Sequence, residues 1–273
     1  MLAYDFRNGL WHRKIWLILP IAFFGMALCS VTADIQYSEY HMTLGGVLLR
    51  ILQGTAPVDM EMREFHVPVV WLMIHLGCVF FTVEYPTRDM NFFGQQIMIR
   101  SRNKGRWLLS KYCWNAVSVL IYWLIGYLMV IVFCAIYKTP TSLGVDGNLA
   151  GGMDGCDIFR DYFTANVMAL RLIFMPFLTS LTISFIQMFV AIMLNDIFAV
   201  ATSMFILVWS MCILNPLAIG NYSMLQRSNV FRRNGVSPMV GIPLMLTLMV
   251  ITITANYILF KYKDILEPKK DGE

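Results

Sequence analysis

Six basic residues, Arg88, Arg100, Arg102, Lys104, Arg106 and Lys111, fall between positions 84 and 112, where the only acids are Glu84 and Asp89. A guanidinium is a planar, permanently charged fork that engages carboxylate or phosphate in two places at once. This density of Arg therefore suits docking to an acidic partner or to anionic lipid. Apolar residues bracket the charge, with Phe92, Phe93, Ile97 and Met98 before it and Trp107, Leu108 and Leu109 after it. Retention of Lys and Arg on the cytoplasmic side of a membrane would explain the charge, but not the brackets. The pattern predicts a helix along a membrane surface that offers its Arg side chains outward.

Other residues with chemical potential are sparse. Asp196, beside Asn195, sits between two apolar runs; an ionisable group near a membrane end is a functional candidate, and the same residue could cap the following helix. His75 is alone among apolar neighbours and reads as a hydrogen-bonded packing residue. With no other acid or base deep in an apolar run, a proton relay or ion-coupled carrier has little to work with. The chain contains no HExxH, no GxSxG and no G-K-[ST] phosphate loop, and so no recognisable catalytic or ATP-hydrolysing motif. The Gly-rich stretch 144–152 lacks the phosphate-loop ending and breaks the calcium-loop pattern at Ala150, and reads as a flexible solvated loop. The six cysteines contain no CxxC pair, and support neither a disulfide framework nor a thiolate metal site.

The elements that must position these groups follow from composition. Of 273 residues, 58% are apolar and 14% charged, with a mean hydropathy of +0.62. Soluble domains average about 25% charge, so an ordinary water-soluble enzyme is excluded. Six apolar windows, 15–33, 67–83, 113–137, 172–194, 197–219 and 239–260, approach the ~20 residues a helix needs to cross a bilayer, the second being the shortest. They predict an all-α membrane protein with a single transmembrane domain over 1–273. Placing both termini inside puts 13 of the 21 Lys and Arg on the inner side, in keeping with the positive-inside rule. Arg227, Arg232 and Arg233 in the last outer loop dissent. Arg13, Lys14 and the small residues up to Ala33 imitate a signal peptide, although the apolar run exceeds the usual h-region.

Between the spans, Leu2, Phe6 and Leu10 predict an amphipathic helix in the headgroup plane over 2–12. Leu44, Val47, Leu48, Ile51 and Leu52 mark one apolar helix face in the first outer loop. Segment 220–238 is too polar to span and is either re-entrant or external.

This organisation resembles a type 2 ATP-binding-cassette transporter permease: six spans with both ends inside, an N-terminal amphipathic helix, a long basic first inner loop, a two-residue second inner loop and a polar insertion before the last span. The stretch from Phe93, Gly94, Gln95 and Gln96 through Lys111 is similar to the same loop in small permeases of Gram-positive bacteria that accompany peptide-antibiotic export or immunity. The resemblance implies a non-catalytic subunit of the bacterial cytoplasmic membrane. Residues from about 89 to 106 would include a coupling helix seated in a separate ATPase subunit, which would carry the ATP and Mg. Arg100, Arg102, Lys104, Arg106 and Trp107 would form that contact, with Asp196 in a minor second one. A second permease chain, identical or homologous, and membrane lipid are the other implied partners; nucleic acid is not. The competing reading is a membrane immunity or scaffold protein that binds a toxic peptide or membrane partner and transports nothing.

Overall fold

The computed structural model describes residues 2–6, 8–9, 17–37, 42–57, 66–91, 94, 96, 98, 104–151, 156–158 and 160–262. The described chain is mostly helical: α1 Leu2–Phe6, α2 Ile18–Tyr37, α3 Leu44–Ile51, α4 Val69–Asn91, α5 Lys104–Ile136, α6 Gly147–Gly151, α7 Ala165–Met193, α8 Asp196–Cys212 and α9 Pro238–Tyr262. Four of them, α4, α5, α7 and α9, are long and apolar enough to cross a membrane, while α2 and α8 carry shorter apolar stretches. Helix α7 is central and packs on α4, α8, α9 and α5. One side of α5 and α9 faces outward with residues such as Leu124, Leu128, Val250 and Ile258. Apolar residues offered to the surroundings at this length suit a lipid solvent.

Polar side chains join the helices inside the bundle. Gln187 Nε2 of α7 donates to the Val79 carbonyl of α4 at 3.0 Å, Asn115 Nδ2 of α5 to the Ser184 carbonyl at 3.0 Å, and Asn256 Nδ2 of α9 to the Tyr112 hydroxyl at 2.9 Å. Where lipid supplies no hydrophobic drive between helices, such contacts help fix them together. His75 belongs to this packing. Its Nδ1 lies 2.9 Å from the Trp71 carbonyl oxygen, which can only accept, and its ring rests against Trp71 and Trp123.

The helix ends depart from the hydropathy windows. Helix α4 continues past 83 to Asn91 and α5 begins at Lys104 instead of 113, so most of the stretch 84–112 continues the two long helices. At 1.5 Å per residue, α5 with its 33 residues runs about 50 Å, well beyond the ~30 Å hydrocarbon core. Only 92–103 lies between the two helices. Helix α7 contains a π turn over Leu170–Phe174. Pro176 has no N–H and would clash with the carbonyl four residues back, that of Leu172; the Tyr127 hydroxyl donates to it instead, at 3.1 Å. Helix α8 stops at Cys212, short of the expected 219, because Ile213 turns extended.

One expectation about the connections needs correction. The predicted flexible loop around 144–152 is ordered: Val145–Asp146 (β1) pairs antiparallel with Tyr162–Phe163 (β2), and Leu149 and Ala150 of α6 are buried. Of the expected N-terminal helix, the described part is α1, which packs on α5 and buries Asp5. The apolar face expected in the first outer loop is α3, capped by Thr43 Oγ1 accepting from Gly46 N at 3.1 Å. Nearly all of α3 is buried, so it caps the bundle.

Candidate functional site

The last turns of α4 and the first turns of α5 meet at one end of the bundle, the basic end, together with α1 and the start of α8. Three charged side chains converge there. Lys111 Nζ pairs with Asp5 Oδ1 and, at 2.7 Å, with Asp89 Oδ2; the three residues are 1%, 2% and 7% exposed. Neutral donors complete the carboxylates. Tyr85 OH donates to Asp5 Oδ1 at 2.9 Å, Ser110 Oγ to Asp5 Oδ2, and Trp107 Nε1 to Asp89 Oδ2 at 3.0 Å. The ammonium also lies 4.7 Å from the Tyr85 ring centroid and 5.4 Å from that of Trp107, within cation–π range. Among the described residues the group holds two carboxylates and one ammonium, and the neutral donors share the carboxylate oxygens.

The sequence places these groups through ordinary helical spacing. Ser110 and Lys111 each stand three or four residues from both Trp107 and Trp114, and all four are buried, so they share a face. Asp89 and Tyr85 are likewise four apart on α4. Gly94 sits against the cluster: a Cβ there would lie 2.6 Å from the Asp89 carbonyl oxygen and 2.9 Å from Trp107 Nε1. Two residues before Asp89 on α4, Thr87 Oγ1 donates to Asp196 Oδ2 at 2.9 Å. The network thus ties α1, α4, α5 and α8 around the ends of segment 92–103.

The structure separates the residues proposed from the sequence. Arg100 and Arg102 lie outside the described residues. Lys104 opens α5, and its Nζ donates to the Lys261 carbonyl of α9 at 3.4 Å. Arg106 is exposed and lines a recess between α5 and α9. Trp107 is buried, stacks on Phe260 with ring centroids 5.4 Å apart and bonds Asp89, so it anchors the segment and offers no docking surface. Asp196 does not cap α8. That role falls to Asn195, whose Oδ1 accepts from Phe198 N at 2.9 Å, leaving Asp196 to bind Thr87. Sequence reading missed Asp5, Asp89 and Lys111 as partners. A signal existed: Lys111 stands on the same face as two tryptophans, and Asp5 is the first acid in the chain, 29 residues ahead of the next.

The opposite end holds a second buried cation, Arg227. Its guanidinium donates to the carbonyls of Thr55 (2.9 Å), Ala56 (3.4 Å), Ile213 (3.2 Å), Ser210 and Met211, and to Asn221 Oδ1 at 2.6 Å. The helix-terminal carbonyls of α8 carry partial negative charge, which is where a cation belongs. Burial pulls the guanidinium down from its usual value to about 10, still well above neutrality. Segment 219–227, with 3₁₀ turns Ile219–Ser223 and Leu225–Arg227, is buried beneath residues 52–57. Among the described residues, no three His, Cys, Asp or Glu side chains gather as a metal-binding group.

A family model described as a protein of unknown function (DUF2705) matches residues 18–266 of the chain. No curated protein and no solved structure matches it.

Proposed function

The chain belongs to the DUF2705 family, whose description carries no activity, and from the geometry of the basic end we propose that it is the membrane-spanning permease subunit of an ATP-binding-cassette transporter. In this reading six helices, α2, α4, α5, α7, α8 and α9, cross the cytoplasmic membrane with both termini inside, and the chain exports a peptide, antibiotic or other amphipathic substrate. ATP and Mg act on a separate ATPase subunit, and a second permease chain completes the path. The observation that supports it is the Asp5, Lys111, Asp89 network with its Thr87 to Asp196 branch. Four helix ends are fastened to one another around segment 92–103, so a displacement of that segment by a docked partner would move the spans together. Energy can enter this way only if the partner binds the two states of the bundle with different affinity.

The test is co-purification. Replacing Arg100, Arg102 and Arg106 with Glu would abolish capture of the ATPase chain and ATP-dependent efflux while leaving the bundle folded. Undiminished association and transport would overturn the coupling assignment. Protection of cells that persists with a hydrolysis-dead ATPase would point instead to the immunity or scaffold role.

A further inference from the structure

The carboxylate of Asp5 is gripped by three groups from outside its own helix: Tyr85 OH of α4 at 2.9 Å, and Ser110 Oγ and Lys111 Nζ of α5. A phenol, a hydroxyl and an ammonium converging on one point make a receptor for a carboxylate, and Asp5 fills it while only 2% exposed. Hydrogen bonds that involve charged partners are the stronger kind, so Asp5 anchors α1 firmly for its size. The helix that delivers it has five residues, well under the ~12 that an isolated helix needs to hold its shape in water. The order of α1 therefore depends on the surface beneath it.

That surface is imperfect at one atom. Trp114 of α5 is 2% exposed and lies on the Tyr85 ring with centroids 4.3 Å apart. Gly9 lies against the edge of the indole: a Cβ there would stand 2.4 Å from Trp114 Nε1 and 3.0 Å from Tyr85 Cε2. The indole nitrogen can only donate, and among the described residues its buried N–H has no acceptor. An unanswered buried donor works against the state that buries it. Docking of α1 and Gly9 thus secures one carboxylate and strands one N–H, with Tyr85 touching both. Release reverses both, since water then reaches the carboxylate and the indole alike.

We propose that α1 is a releasable latch: it docks through Asp5 on the carboxylate receptor formed by Tyr85, Ser110 and Lys111, and the stranded N–H of Trp114 keeps that docking reversible. Lys111 also holds Asp89, against which Gly94 packs. The docked latch therefore tightens the seat of segment 92–103 on the ends of α4 and α5, and release loosens it. The latch stands without the transport reading; where that reading holds, it regulates the coupling contact.

Amide hydrogen exchange of the full-length protein in mild detergent, read by mass spectrometry, tests this without any ATPase. Residues 2–9 should exchange at least about tenfold faster than residues 107–114, because the latch opens while α5 stays folded. Asp5→Asn should speed exchange at 2–9 by about tenfold or more and leave residues 219–227, at the opposite end, unchanged. The discriminating variant carries 3-benzothienylalanine in place of Trp114 alone, which keeps the ring shape and puts sulfur where the N–H stood. It should slow exchange at 2–9 by about fivefold or more, whereas an indole that serves only as packing predicts no change or faster exchange. Equal exchange at 2–9 and 107–114, no effect of Asp5→Asn, or no slowing with benzothienylalanine would each overturn the latch. Faster exchange at 219–227 in Asp5→Asn would overturn it too, by showing that α1 opens only with the whole bundle. Failure here leaves the ATPase assay unaffected, and failure of ATPase capture leaves the exchange pattern unaffected, so the two proposals fall separately.

Discussion

Lys111 at the basic end and Arg227 at the opposite end are both essentially inaccessible to solvent, and they are held by different means. Lys111 faces two carboxylates from two other elements, while Arg227 faces five backbone carbonyls and one side-chain amide. An ion cluster depends on every member, because removal of one leaves uncompensated charge in a medium that solvates it poorly. A carbonyl cage depends on shape, since its acceptors are dipoles that the planar guanidinium reaches as a fork and a shorter ammonium does not. The basic end is thus electrostatically brittle and the opposite end geometrically exacting. A part that must change state suits the first construction, and a part that must stay closed suits the second.

The largest effect should come from Lys111→Met, which leaves Asp5 and Asp89 facing each other without a cation. Removing one partner of a buried pair costs about 3–5 kcal/mol, read as a loss of thermal stability of the purified protein. A change below ~1 kcal/mol would break the contrast between the two ends. The double variant Asp5→Asn with Lys111→Met should cost less than the sum of the single variants, by a coupling of about 0.5–3 kcal/mol.

Arg227→Lys should cost about 1.5–3 kcal/mol, the worth of a hydrogen bond to a charged group. It should also raise hydrogen exchange at the end of α8, where the carbonyls of Ser210 and Met211 lose their donor. The sign of its pH dependence is fixed. A fold that lowers the guanidinium to about 10 holds the proton less tightly than the unfolded chain. The penalty for burying this cation is therefore constant below about pH 10 and is relieved as pH rises above it, so the group adds no loss of stability on that side. The Arg227 contribution should accordingly be flat from pH 6 to pH 8, and a slope in the difference between the parent protein and Arg227→Lys would report the substituted ammonium, whose lower ordinary value burial can bring toward that window.

These two sites also show what a sequence can and cannot display. Hydropathy located the long helices because contact with lipid is written into consecutive residues. Helix ends escaped it, because polar residues at an end stay helical only when another element supplies their partners. Asp5 and Lys111 are 106 positions apart, and no local pattern joins them, so α5 was expected to begin at 113. Arg227 counted as loop charge for the same reason, its acceptors coming from residues 55–56 and 210–221. The two-residue strands at 145 and 162 are too short to show any alternation. Trp107 was legible as an apolar anchor but not as a hydrogen-bond donor to Asp89. The π turn of α7 was closer to readable, since Pro176 in an apolar helix announces a disturbed register one turn earlier.

Gly94 tests how tightly the connecting segment is built into the basic end. Gly94→Ala would push a methyl to within 2.6 Å of the Asp89 carbonyl oxygen and 2.9 Å of the Trp107 indole nitrogen. Overpacking of this kind costs about 1–3 kcal/mol, and tryptophan fluorescence should report the displaced indole. No change in stability or emission would mean that the segment is seated only loosely on the ion cluster.

The smallest effects distinguish Asn195 from Asp196, neighbours that one short turn between α7 and α8 presents together. Asn195 satisfies an orphan N–H of α8, so Asn195→Ala should cost about 1 kcal/mol as a lost cap and fray the helix start. Asp196→Asn should cost less than that in stability, because an amide oxygen can still accept from the Thr87 hydroxyl. What it removes is charge at the tip of the turn. If Asp196 serves only to hold α8 against α4, Asp196→Asn will leave ATPase capture intact and Thr87→Val will resemble Asp196→Ala. If the turn is a second contact with the ATPase, Asp196→Asn will weaken capture while Thr87→Val leaves it unchanged. Thermal stability and co-purification, measured on the same four variants, separate the two roles.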